Sequence, residues 1–205
     1  MHGAHLDAGA VAGVTTVQSP IALARAVMEQ SPHVMLASKG AEQFARDLGI
    51  PEVSSAYFET ERRKRALESY KARKQAGVEP RVDYKFGTVG VVVLDSKGNL
   101  VAGTSTGGMT GKRWGRIGDA PVIGAGTYAD NNSCAVSATG HGEFFIRHTV
   151  ARDICARMKF AGQNLQEAAE TVILDELVAA GGDGGIVAVD ATGEVSMVFN
   201  TPGMY

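Results

Sequence analysis

Cysteine and tryptophan are scarce: the 205 residues hold two of the former, Cys134 and Cys155, and one of the latter. With no second pair and no metal-ligand spacing, the two cysteines, both in apolar surroundings, are read as reduced core residues of a cytoplasmic protein rather than as a disulfide. Neither sign of charge is in large excess, the formal net charge being -2, and the basic residues are dispersed except between Arg62 and Lys74. That balance leaves no electrostatic footprint for a nucleic-acid or membrane partner. Long apolar runs are missing too; none nears the roughly 20 residues a membrane-spanning helix needs. The opening Met1-His2-Gly3-Ala4-His5 has no signal-peptide character.

Glycine, by contrast, is abundant at 26 residues, and 44% of the chain is apolar. The length suits one domain over residues 1–205 with a good core, and the glycines suit tight turns and a site built from main-chain groups. Residues 8–14 read as a closely packed strand, and Ser19-Pro20 as a helix start with serine as N-cap, ending at Ser31-Pro32. A short strand over 33–37 and a helix over 41–48, closed by Gly49, follow. Residues 60–87 are charged and weakly apolar, a solvated helix in the first half and a loose linker from Gly77. Residues 89–95 and 100–106 read as a hairpin covered on two faces, with Gly98 and Asn99 taking positive φ in the turn. Further strands are expected over 121–128 and 133–138, helices over 142–158 and 165–179, and a last hairpin over 184–190 and 194–199. Helices then strands, twice over, make an α+β fold.

The chemistry centres on Gly87-Thr88-Val89-Gly90, where a threonine follows a glycine directly at the end of the charged stretch. Thr88 is read as a nucleophile exposed by cutting the Gly87–Thr88 bond. A free N-terminal threonine carries a hydroxyl and an α-amine of pKa about 8, so near neutral pH it supplies its own base and needs no histidine. Glycine at 87 tolerates the backbone that lets a hydroxyl attack the preceding carbonyl. Further on, Arg116 and Asp119 lie three residues apart on a glycine-rich loop. They are either a surface ion pair or a clamp, with guanidinium for an α-carboxylate and carboxylate for an α-ammonium. Thr139-Gly140 is either a plain strand-to-helix turn or a place where main-chain N–H groups converge on one spot.

Gly87-Thr88-Val89-Gly90, residues 102–108, Gly115-Arg116-Ile117-Gly118-Asp119-Ala120-Pro121 and Ala138-Thr139-Gly140-His141-Gly142-Glu143 occur in that order. This series resembles the plant-type asparaginase and isoaspartyl peptidase family, one of the N-terminal nucleophile hydrolases. The resemblance implies a four-layer αββα sandwich, with residues 1–87 as the C-terminal part of an α segment and 88–205 as a β segment. It implies Thr88 as nucleophile, Thr106 as the threonine that orients it, Arg116 and Asp119 as the head-group clamp, the Thr139 hydroxyl and Gly140 N–H as oxyanion donors, and Gly142 as pocket lining. Hydrolysis of β-aspartyl dipeptides and L-asparagine follows, with αβ pairs dimerised as (αβ)2 and no cofactor.

His141, with His148 and Glu143 nearby, fits no common zinc pattern. Gly107 to Lys112 is a poor phosphate loop, having Arg113 where serine or threonine belongs, and Gly124-Ala125-Gly126 is a weak dinucleotide signal. The family's glycine-rich opening strand and sodium-binding loop have no counterpart here, so the chain is expected to be a fragment cut at both ends, with no metal. A glycosylasparaginase and an inactive relative with a binding role only are the alternative readings.

Overall fold

The computed structural model describes residues 1–78 and 87–202. The N-terminal part begins with β1 (Ala10–Ala12), α1 (Pro20–Gln30), β2 (Met35–Ala37) and α2 (Ser38–Asp47), β1 and β2 pairing in parallel. Gly9 explains the small residues before β1: a Cβ there would lie 2.0 Å from the Ala24 carbonyl oxygen of α1. Pro20 opens α1 as expected, but the Ser19 side chain makes no capping bond. Instead Leu23 N–H reaches the Ser19 main-chain oxygen at 3.2 Å. Leu23, Ala24, Ala26 and Val27 form the buried face of α1, and Gly49, at φ +68°, closes α2. The charged stretch is a helix, α3 (Glu61–Gln75), capped by the Thr60 hydroxyl and with no buried residue. Of the expected linker, residues 79–86 lie outside the described residues.

Strands β3 (Val89–Leu94) and β4 (Leu100–Ser105) form the expected antiparallel hairpin, with Gly90 opposite Thr104. Only Gly98 takes positive φ in the turn; Asn99 donates its main-chain and side-chain N–H groups to the Asp95 carboxylate. The expectation of two covered faces fails on β3. Val92 and Leu94 pack inward, whereas Val89, Val91 and Val93 are 69%, 54% and 43% exposed. A continuously apolar run does not say which of its two alternating faces finds a neighbour.

A four-stranded antiparallel sheet follows: β5 (Thr127–Ala129), β6 (Cys134–Gly140), β7 (Gly184–Asp190) and β8 (Val195–Ser196), in that order. Residues 121–126 turn rather than extend, because Gly126 passes against the backbone of Asp119 and Ala120. The β3–β4 hairpin packs on β5, β6 and β7, and α1 lies against β4 on the other side. The first expected long helix is two, α4 (Gly142–His148) and α5 (Val150–Ala156), broken at Thr149 with φ +47°. The second runs from α6 (Leu165–Glu170) through a π-helical stretch, Thr171–Glu176, into α7 (Leu177–Ala179). Phe145, Ile154, Leu165, Ile173 and Leu177 bury the helical layer against Val136 and Ile186 of the sheet. The chain is α+β, as expected.

Cys134 and Cys155 correct the sequence reading: they are joined in a disulfide, with Cα atoms 5.4 Å apart. The residues are 21 positions apart, one on β6 and one on α5. Packing of α5 onto β6 brings two interior-facing side chains together, a tertiary fact that spacing does not reveal. Among the described residues no helix is long and apolar enough to cross a membrane.

Candidate active site

Continuing the hairpin register by one residue sets Thr88 opposite Thr106, and the Thr88 hydroxyl donates to Thr106 Oγ1 at 3.1 Å. Thr106 Oγ1 also accepts from the Gly108 N–H at 3.0 Å, so its own position is set by the loop that follows β4. Gly87 has φ +155°, where a side chain is strained, and a Cβ on it would lie 2.5 Å from Arg63 Nη2.

Thr88 and Thr106 open on a cavity of about 40 Å³, also lined by Gly87, Arg116, Asp119, Thr139 and Gly140. Thr139 and Gly140 end β6, held by pairing with Gly185 and Gly184 of β7 and by the His141 N–H to the Asp183 carbonyl at 2.9 Å. Gly142 does not line the cavity but abuts the clamp: a Cβ there would lie 2.8 Å from Arg116 Nη2 and 2.9 Å from Asp119 Oδ1. All eight sequence-chosen residues are thus within one small region.

Asp119 is the electrostatic centre. It is only 7% exposed, and its Oδ2 has no hydrogen-bond partner among the described residues. Burial pushes its carboxyl up to about 6, the Arg116 charge opposing that shift and Glu143 adding to it. A buried carboxylate with an empty acceptor is costly unless a cation arrives. Arg116 does not form the simple pair with Asp119 that the spacing allows. Its Nε and Nη2 donate to Glu143 Oε1 and Oε2 at 2.8 and 2.7 Å, and this partner holds the Glu143 carboxyl below its ordinary range. Glu143, expected only as part of the Ala138–Glu143 series and not as a metal ligand, is the second residue of α4, and that place directly after the strand-to-helix turn was the available signal.

A second polar group, with no signal in the sequence, lies between the two sheets. The Thr104, Ser137 and Thr127 hydroxyls join β4, β6 and β5: Thr104 and Ser137 are 2.7 Å apart, and Thr127 donates to Thr104 at 2.6 Å. Gly90 makes room for it, since a Cβ there would lie 2.2 Å from Ser137 Oγ. Serine and threonine in strands carry no signal of their own until two sheets face each other.

A hydroxyl pair, a buried carboxylate with one oxygen unpartnered among the described residues and a tight strand-to-helix turn around one cavity have the layout of hydroxyl-nucleophile acyl transfer on an α+β scaffold. The chain belongs to the asparaginase family, whose model matches residues 1–205. It is 50% identical over 212 residues to the isoaspartyl peptidase of Escherichia coli, covering 100% of this chain and 65% of that protein. A probable isoaspartyl peptidase/L-asparaginase 2 of Arabidopsis thaliana is 44% identical, covering 100% of this chain and 69% of its own length. The Homo sapiens isoaspartyl peptidase/L-asparaginase is 43% identical, covering 95% of this chain and 62% of its own. The chain therefore spans about two thirds of the length of the curated relatives it matches.

Proposed function

We propose that this chain is the catalytic part of a self-cleaving amidohydrolase that hydrolyses β-aspartyl dipeptides and L-asparagine through Thr88. One observation carries the reading: the Thr88–Thr106 hydroxyl contact and the buried Asp119 carboxylate, whose Oδ2 has no hydrogen-bond partner among the described residues, line the same cavity. A nucleophile and a receptor for an ammonium group are what an amino-acid amide substrate requires.

Cleavage before Thr88 frees its α-amine. The amine takes the hydroxyl proton as Oγ attacks the β-carbonyl, and the Thr139 hydroxyl and Gly140 N–H stabilise the oxyanion, at roughly 3 kcal/mol for each fixed donor. The proton passes to the leaving nitrogen, ammonia or an amino acid departs, and water then hydrolyses the Thr88 ester to release aspartate. Arg116 holds the substrate α-carboxylate and Asp119 its α-ammonium, while Thr106 keeps the nucleophile oriented.

The reading extends to the whole protein: a four-layer αββα sandwich in one domain, residues 1–87 and 88–205 as α and β segments, αβ pairs dimerised as (αβ)2, and no cofactor. Packing of α1 on β4, of β3–β4 on β5–β7, and of α5 on β6 supports the layer order. Residence in the cytoplasm belongs to the proposal. The test is release of aspartate from a β-aspartyl dipeptide by the chain and by Thr88→Ala. Aspartate from the first alone is expected, and equal release by both contradicts the assignment.

A further inference from the structure

Arg116 is fixed from several sides at once. Its side-on edge makes two bonds to Glu143, and its flanks are bounded by glycines: a Cβ on Gly118 would lie 2.7 Å from Nη1, and one on Gly142 2.8 Å from Nη2. Arg116 lines the small cavity and Glu143 does not. The Glu143 side chain is 45% exposed against 17% for Arg116, so the carboxylate grips the guanidinium from the solvent side, behind the cavity wall. Behind it again stands His141, with Nε2 3.4 Å from Glu143 Oε2. An exposed single-bond ion pair contributes little, but a bidentate one fixes the plane of a fork whose use is planar recognition of carboxylates.

We propose that Glu143 is a positioning residue for substrate binding: it clasps Arg116 from outside the cavity and sets the direction of the remaining guanidinium N–H edge that the substrate's α-carboxylate meets. The inference rests on the proposed function, in which Arg116 binds that carboxylate. Because Glu143 touches neither Thr88 nor Thr139-Gly140, its loss falls on binding rather than on the chemical step. Its charge also bears on Asp119, whose proton affinity it increases. Neutralising Glu143 therefore moves the Asp119 component of the acid limb of kcat/KM, which lies below the fall set by the Thr88 amine, to lower pH, which a loss of packing alone does not do.

The experiment compares the full chain with Glu143→Gln and Glu143→Asp, by aspartate titration in a calorimeter and by β-aspartyl dipeptide kinetics across pH. Glu143→Gln is expected to weaken aspartate and raise KM about tenfold, with kcat within about twofold. The Asp119 component of its acid limb shifts down in pH, and Glu143→Asp recovers part of the affinity. Aspartate bound by the unaltered chain and equally well by Glu143→Gln overturns the role of Glu143 alone, as does a fall in kcat at constant KM. If the unaltered chain neither binds aspartate nor hydrolyses the dipeptide, the functional reading fails, and this inference fails with it.

Discussion

Asp119 holds an ionisable group in a place that only a bound cation justifies. Its pKa of about 6 stands above the 3.8 of an ordinary aspartate, with burial as the main cause. On raising pH the unfolded chain loses this proton first, so the carboxyl costs stability progressively between pH 3.8 and about 6 and in full above that. Asp119→Asn is accordingly expected to raise stability at pH 7.5 by roughly 2–3 kcal/mol and to match the parent near pH 3. It should also abolish aspartate binding; urea unfolding at the two pH values and calorimetry check both. Ionised Asp119 is needed to receive an ammonium, so below pH about 6 its protonation steepens the fall in kcat/KM that protonation of the Thr88 amine begins at pH about 8. Thr106 makes a separate prediction. Valine is nearly isosteric and leaves the Thr88 hydroxyl without its acceptor, so Thr106→Val keeps its circular dichroism and loses about 10²-fold in kcat.

Among the elements, the β3–β4 hairpin was the most legible, since Asp95 to Asn99 names its turn and the register then brings Thr88 to Thr106. Local signals of that kind, turn residues and two-residue alternation, survive without knowledge of neighbours. What escaped depends on neighbours. The bare outer face of β3, the break at Thr149 and the Cys134–Cys155 bond are all decided by which element lies opposite. The same holds within the site: residue types suggested Arg116 and Asp119, but not that Asp119 is buried and Arg116 is clasped by Glu143. The disulfide ties the start of β6 to α5, the helix that packs on β5 and β6. Cys155→Ala should lower unfolding free energy by about 3 kcal/mol, and a reductant should lower that of the parent but not of the variant.

Across the molecule, the hairpin bearing Thr88 and the sheet bearing Thr139 are joined by hydroxyls rather than by apolar contact alone, with Gly90 admitting Ser137 between them. Gly90→Ala places a methyl 2.2 Å from Ser137 Oγ and 3.0 Å from its Cβ. Ser137 must turn off Thr104 or the two sheets must part, at an expected cost of about 1–3 kcal/mol in thermal or urea unfolding. Activity should fall as well, because Thr88 and the Thr139-Gly140 turn stand on opposite sides of that contact. Self-cleavage requires the chain to assemble this geometry well enough to free the Thr88 amine. Intact mass after prolonged incubation at neutral pH is the decisive measurement: two fragments meeting at Gly87 and Thr88 are expected from the parent chain, and a single uncut mass from Thr88→Ala. A folded parent chain that stays whole, or a Thr88→Ala chain cut at the same bond, would contradict self-cleavage by Thr88.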